Sequence, residues 1–162
     1  MKSLLVVRHA KSSWEWEDRS DFDRPLNDRG KRDAPVMAQR LVTHAAIPDL
    51  LVSSPAKRAR KTAELFAAEL GMSPDGILFF PELYHAPSPI FYEVIRGFDD
   101  SKNVVALFSH NPGITEFVSS LTDVRVDNMP TCGVFGVHVD TASWASFRSA
   151  PKTFWFFDYP KA

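Results

Sequence analysis

Six short apolar runs, with segments of helical periodicity between the first several, constrain this chain more than any other feature. They occupy residues 4–7, 50–52, 77–80, 104–108, 134–139 and 154–157. Their length suits buried strands. Read in order, the chain runs β-α-β-α-β-α-β-α and then becomes strand-rich, which argues for an α/β sandwich with a largely parallel sheet. At 162 residues it is read as one domain spanning 1–162, large enough for a proper hydrophobic core. No internal repeat, low-complexity tract or linker divides it.

The helical segments carry their own start and stop signals. The first helix is expected to begin near Asn27 or Asp28, either of which caps free amides, and to run to about Thr43 with a mixed face of Val36, Met37, Arg40, Leu41 and His44. Pro35 should kink its early turns. A second helix over 56–70 has Ala59, Ala63, Phe66 and Leu70 at helical spacing and stops at Gly71. A third is predicted after Asn111, with that side chain as cap, Pro112 opening the helix and Ile114, Phe117, Val118 and Leu121 as its buried stripe.

Charge and cysteine usage narrow the function classes. A formal net charge of −1 gives no basic excess for nucleic-acid or membrane-surface binding, and no apolar stretch approaches the roughly 20 residues of a membrane span. Cys132 is the single cysteine, so neither an internal disulfide nor a thiolate zinc cluster is available. With a strand entered by Ser3 or Leu4, no room is left for a signal peptide, and a cytoplasmic protein is expected.

The chemistry-bearing residues fall just after the predicted strands. Arg8-His9 follows the first run, and Ser53-Ser54-Pro55 leads through Arg58 into a helix after the second. Pro81-Glu82-Leu83-Tyr84-His85 follows the third run, and Ser109-His110-Asn111-Pro112-Gly113 the fourth. In a parallel sheet these ends converge on one edge, where ligands bind in open α/β folds. They would gather histidines, arginines and a carboxylate, which suits a phosphoryl group. Arginine matches phosphate oxygens two at a time, and a neutral imidazole has a free nitrogen to attack phosphorus. A second histidine, if protonated, would add charge around the transition state, so that no metal or other cofactor is needed.

Blander readings stand beside these. His85 is read as a pocket-lining residue and His44 as a solvated helix residue. Lys57, Arg60 and Lys61 read as an exposed face, or as a rim for an acidic partner. Glu82 is either an acid or a structural partner of an arginine. Cys132 reads as packed rather than nucleophilic.

Taken together, Arg8-His9-Ala10-Lys11-Ser12-Ser13-Trp14, Asp23-Arg24-Pro25-Leu26-Asn27-Asp28-Arg29-Gly30, Ser53-Ser54-Pro55 through Arg58-Ala59 to Thr62-Ala63-Glu64, and Ser109-His110-Asn111-Pro112-Gly113 resemble the histidine phosphatase superfamily of phosphoglycerate mutase-like proteins. The match is closest to its small SixA-like, phosphohistidine phosphatase branch. The resemblance implies a three-layer α/β/α sandwich and a phosphohistidine intermediate. His9 would be the nucleophile, with Arg8, Arg58 and His110 completing the phosphate pocket. Glu82 falls where larger relatives keep a proton donor, although the glycine- and tryptophan-bearing pattern of the mutase branch is missing around it. Ser12, Asn111 and His85 complete the candidate substrate-binding set. The substrate expected is a phosphorylated protein carrying phosphohistidine, whose imidazole leaves without a strong acid; a small phosphate ester is the alternative, and a non-catalytic phosphate-binding module the rival outside enzymes.

Overall fold

The computed structural model describes residues 1–14 and 20–161. Its centre is a six-stranded sheet of β1 (Lys2–Arg8), β2 (Leu50–Ser53), β3 (Leu78–Phe79), β4 (Val104–Ser109), β5 (Val134–Val139) and β6 (Lys152–Asp158), in the order β3-β2-β4-β1-β5-β6. β3, β2, β4 and β1 are parallel; β5 and β6 add in antiparallel fashion. The strand-rich carboxyl end of the sequence is this antiparallel extension. Four helices complete the chain: α1 (Asp28–Thr43), α2 (Lys57–Glu69), α3 (Ser88–Ile95) and α4 (Gly113–Ser119).

The alternation of side chains along β1 divides the core. Leu5 and Val7 point to one face, where Ala34, Met37, Ala38 and Leu41 of α1 and Ala63, Phe66 and Ala67 of α2 cover them. Leu4 and Val6 point to the other, under Phe91, Val94 and Ile95 of α3, Ile114, Phe117 and Val118 of α4, and Trp144 and Phe147. Both faces are buried, so β1 reads as a continuous apolar run rather than an alternating one. The result is the three-layer α/β/α sandwich.

Local signals held unevenly. Asn27 caps α1, its side chain accepting from the Gly30 amide at 2.8 Å, and α1 passes through Pro35 as one element. Its buried stripe is Gly30, Ala34, Met37, Ala38 and Leu41, while Val36 faces outward. α2 ends before Gly71, which takes φ +69. His44 is not simply solvated: its ring stacks on Phe156 and its Nε2 lies 3.0 Å from Asp158. Asn111 does not cap α4, where Pro112 takes the cap position. The Asn111 amide instead donates to Asn128 Oδ1 and the Met129 carbonyl, and its Oδ1 accepts from Thr115. β3 shrinks to two residues with exposed side chains, being the outer strand of the sheet. Among the described residues, no helix is long and apolar enough to cross a membrane.

Candidate active site

Because β1, β2, β3 and β4 run parallel, Arg8-His9, Ser53-Ser54, the turn after β3 and Ser109-His110 meet at one sheet edge. β5 runs the other way, so the segment leading into it arrives at that edge too. The backbone at the end of β1 is gripped from both sides. The His9 amide donates to the Ser109 carbonyl, the Arg8 amide to Gly133, and the Cys132 amide to the Arg8 and His9 carbonyls. The following loop is pinned to α1, where the Asn27 amide donates to the Lys11 carbonyl. A Cβ on Gly30 would meet that same carbonyl oxygen at 2.2 Å, so only glycine allows this approach.

His9 is 5% exposed. Its Nδ1 lies 2.7 Å from the Ala10 carbonyl oxygen, which only accepts, so Nδ1 carries the proton and Nε2 the lone pair. Arg58, buried in the first turn of α2, donates from Nε to that Nε2 at 3.4 Å. Burial, opposed by the Ala10 carbonyl and reinforced by Arg58, Arg8 and Arg24, pushes the imidazole down to about 3. His9 is therefore neutral at pH 7 with its nucleophilic nitrogen free of a proton. His110, whose ring centroid lies 5.2 Å from that of His9, is pushed to about 2 by burial and by neighbouring His9 and Arg58. His110 is thus held neutral, and its Nε2 pairs with Ser54 Oγ at 2.8 Å.

A cavity of about 380 Å³ opens here, lined by Arg8, His9, Lys11, Ser12, Trp14, Asp21, Arg24, Arg58, His85, His110, Asn111 and Thr131. Its electrostatics are one-sided. Among the described residues, Arg8, Arg24 and Arg58 share the cavity with one carboxylate, Asp21. Burial and mutual repulsion lower the affinity of Arg8 and Arg24 for their own protons. Asp21 accepts from Arg58 Nη2 at 3.1 Å and from the Tyr84 hydroxyl at 2.6 Å, and its carbonyl accepts from Arg58 Nη1 at 2.6 Å. Desolvation pushes the Asp21 carboxyl up, but the Tyr84 hydrogen bond and the Arg58 and Arg24 charges outweigh it and hold the group ionised below its ordinary range. Among the described residues, the buried Nε of Arg8 and Nε of Arg24 have no hydrogen-bond partner. A multiply charged oxyanion in the cavity would offset the positive charge that Arg8, Arg24 and Arg58 bring to it.

Of the residues singled out from sequence, Arg8, His9, Ser12, Arg58, His85, His110 and Asn111 line the cavity; Glu82 does not. It sits exposed in the 3-10 turn Pro81–Leu83, and among the described residues it has no ion pair with an arginine. The turn after so short a strand points Leu83 into the core and leaves Glu82 outside. Sequence reasoning missed Asp21, Arg24 and Trp14 as lining residues. Arg24 and Trp14 lay inside the motif stretches, and the Arg24 guanidinium packs 3.6 Å from the Trp14 ring centroid. Cys132 is buried and its thiol pushed well up by desolvation, as a packed residue should be. Among the described residues, no group of three or more His, Cys, Asp or Glu side chains is spaced to hold a metal ion.

Comparison with known proteins agrees with this geometry. The profile of the histidine phosphatase superfamily (branch 1) matches residues 4–77, which include Arg8, His9, Arg24 and Arg58. An uncharacterised chloroplastic protein of Arabidopsis thaliana is 28% identical over 151 residues, covering 88% of this chain and 69% of its own. The crystal structure of SixA from Agrobacterium tumefaciens superposes with a TM-score of 0.81 at 24% identity, covering 98% of each chain. The protein histidine phosphatase SixA complexed with tungstate gives 0.82 at 21% identity, covering 98% of this chain and 97% of that one. From β1 to just short of β3 the sequence thus matches the histidine phosphatase superfamily (branch 1), and over nearly its whole length the chain adopts the fold of the SixA structures.

Proposed function

We propose that this protein is a phosphatase that works in two steps through phospho-His9, with protein phosphohistidine as its substrate. The observation that carries the reading is the pairing of a neutral His9, its Nε2 lone pair 3.4 Å from Arg58 Nε, with the three arginines, Arg8, Arg24 and Arg58, that line the same cavity. In the first step Nε2 attacks phosphorus in line, and the guanidinium groups hold the equatorial oxygens. A dianion entering the cavity reverses the balance at His110, favouring its protonated form and adding a further donor. In the second step water displaces His9 and releases inorganic phosphate. The tungstate held by the SixA of similar fold is an oxyanion of the kind that this cavity's chemistry suits.

The choice of substrate rests on what the leaving group requires. An alkyl ester expels an alkoxide and needs a positioned acid. Glu82 lies off the cavity, and Asp21 is held ionised by Tyr84 and the arginines, so among the described residues no carboxyl group stands there in protonated form. Phosphohistidine expels an imidazole, which accepts a proton readily near neutral pH. Activated esters satisfy the same condition; sugar and other alkyl phosphates do not.

A panel tests this directly. The purified protein is assayed against a phosphohistidine protein, an aryl phosphate and a sugar phosphate. The expected order of kcat/KM is phosphohistidine first and sugar phosphate last. Faster turnover of the sugar phosphate would overturn the substrate assignment, and turnover of none would overturn the phosphatase reading.

A further inference from the structure

The loop after β3 delivers a different side chain to the cavity from the one that its sequence suggests. Two contacts fix its path. Ser109 Oγ donates to the Leu83 carbonyl at 2.8 Å. The Ala86 carbonyl lies so close to Gly113 that a Cβ there would meet its oxygen at 1.8 Å. Between these anchors, His85 takes φ +57, a conformation that a residue with a side chain adopts at a cost. The consequence is that Glu82 is left outside and His85 lines the cavity.

His85 is held there as a base is held. Its ring packs 4.0 Å from the Tyr84 ring and lies 6.3 Å from His110, which itself lies 5.2 Å from His9. Its Nε2 stands 3.5 Å from Asp21 Oδ2. The same carboxylate is immobilised by Tyr84 and Arg58 and stays ionised. A carboxylate facing one ring nitrogen favours the proton on that nitrogen and leaves the other as acceptor. Among the described residues His85 has one ion-pair partner, Asp21 on Nε2, and the side chain is 60% exposed, so water reaches Nδ1. The second chemical step is the one for which the phosphate clamp supplies no proton acceptor, since His9 is then the leaving group.

We propose that His85 is the general base of the hydrolytic step, with Asp21 as its positioning residue. This rests on the phospho-His9 reading above. Nδ1 of His85 takes a proton from water as the water oxygen bonds to phosphorus. The P–Nε2 bond to His9 breaks, its electron pair remains on Nε2, and inorganic phosphate departs. The proton left on His85 returns to solvent before the next turnover.

The test separates the two steps by rapid-quench kinetics with 2,4-dinitrophenyl phosphate, whose leaving group needs no acid. His85→Asn is the variant of choice, because asparagine tolerates positive φ and offers no base. The expected result is a burst of nitrophenolate at a rate within about threefold of wild type, followed by a steady state slower by about 10²-fold. Acid-labile phosphoenzyme should accumulate to nearly one per molecule. His85→Gly, which also fits the backbone, should behave alike, and Asp21→Asn should accumulate phosphoenzyme to a smaller extent. Wild-type dephosphorylation in both His85 variants would overturn the assignment while leaving phospho-His9 intact. If neither wild type nor the variants form phosphoenzyme, the phospho-His9 reading fails and this inference with it.

Discussion

Two clusters in this molecule set arginine, histidine and aspartate against one another, and they are wired in opposite ways. Between α1 and the end of β6, Arg40 Nη1 meets Asp158 Oδ1 at 2.9 Å and the Tyr159 carbonyl at 2.8 Å, while His44 Nε2 lies 3.0 Å from Asp158 Oδ2. One arginine answers one carboxylate, and the histidine ring is stacked on Phe156. At the strand ends, three arginines share a cavity in which, among the described residues, Asp21 is the one carboxylate. The first cluster is complete without a ligand and acts as a clasp. The second carries an excess of positive charge around an open cavity, which suits an oxyanion. Residue types do not distinguish a structural cluster from a functional one; the balance of charge around a cavity does.

The contrast breaks most visibly under substitution of its arginines. Arg58→Ala should lower kcat on phosphohistidine by about 10²–10³-fold, as loss of a transition-state donor does. The fold should lose less, since the Asp21 carboxylate that Arg58 leaves keeps Tyr84 and Arg24 and one member of a crowded set of cations is gone. Arg40→Ala should do the reverse, with activity within about twofold of wild type and unfolding free energy lower by roughly 1–3 kcal/mol, because it strands partly buried acceptors. Steady-state assays paired with urea denaturation check both. Equal effects on activity from the two substitutions would erase the distinction.

Ligand binding offers a second comparison. Tungstate or phosphate should stabilise the wild-type protein by about 2.7 kcal/mol when present at 100 times its Kd. Arg40→Ala should keep that gain, whereas Arg24→Ala should weaken the affinity. Thermal shift against ligand concentration measures this, and a gain that survives loss of Arg24 unchanged would remove Arg24 from the phosphate site.

A third comparison lies in pH dependence, where the two clusters titrate in different windows. His9 and His110 are held neutral when folded, at about 3 and about 2, and titrate near 6.5 when unfolded. Between those values the unfolded chain binds more protons, so stability falls as pH drops below about 6.5, by up to about 1.4 kcal/mol per pH unit per histidine. Asp158 behaves differently. Desolvation raises its carboxyl, but the His44 hydrogen bond and Arg40 outweigh it and leave a net depression. Its contribution is present above the unfolded value of about 3.9 and is lost only as pH falls through the folded one. His110→Asn should flatten the slope between pH 6 and 4.5, and Asp158→Asn should lower stability above about pH 4, the difference from wild type shrinking as pH falls below it. Equilibrium unfolding across pH shows whether the windows separate.

What could be read beforehand follows the same division. Arg8, His9 and His110 adjoin apolar strands, and Arg58 begins a helix with a clear buried stripe, so periodicity alone brought them to one edge. Asp21, Arg24 and Trp14 reach the cavity from the connection between β1 and α1, which has no periodicity to follow. Glu82 was misplaced because β3 has only two residues, and its turn is directed by the Ser109–Leu83 and Gly113–Ala86 contacts from elements more than 20 residues away. Asn111 and His44 were misread for a related reason. Each had a local role available, and a distant partner, the 128–129 segment or Asp158, claimed the side chain instead.

The central claim is that His9 carries the phosphoryl group, and peptide mapping of the quenched enzyme tests it most directly. After brief exposure to a phosphohistidine protein, wild type should yield one acid-labile, alkali-stable phosphate on the peptide containing His9, and His9→Ala should yield none and lose turnover while keeping its unfolding transition. Phosphate mapped to another residue, or turnover retained by His9→Ala, would contradict the account.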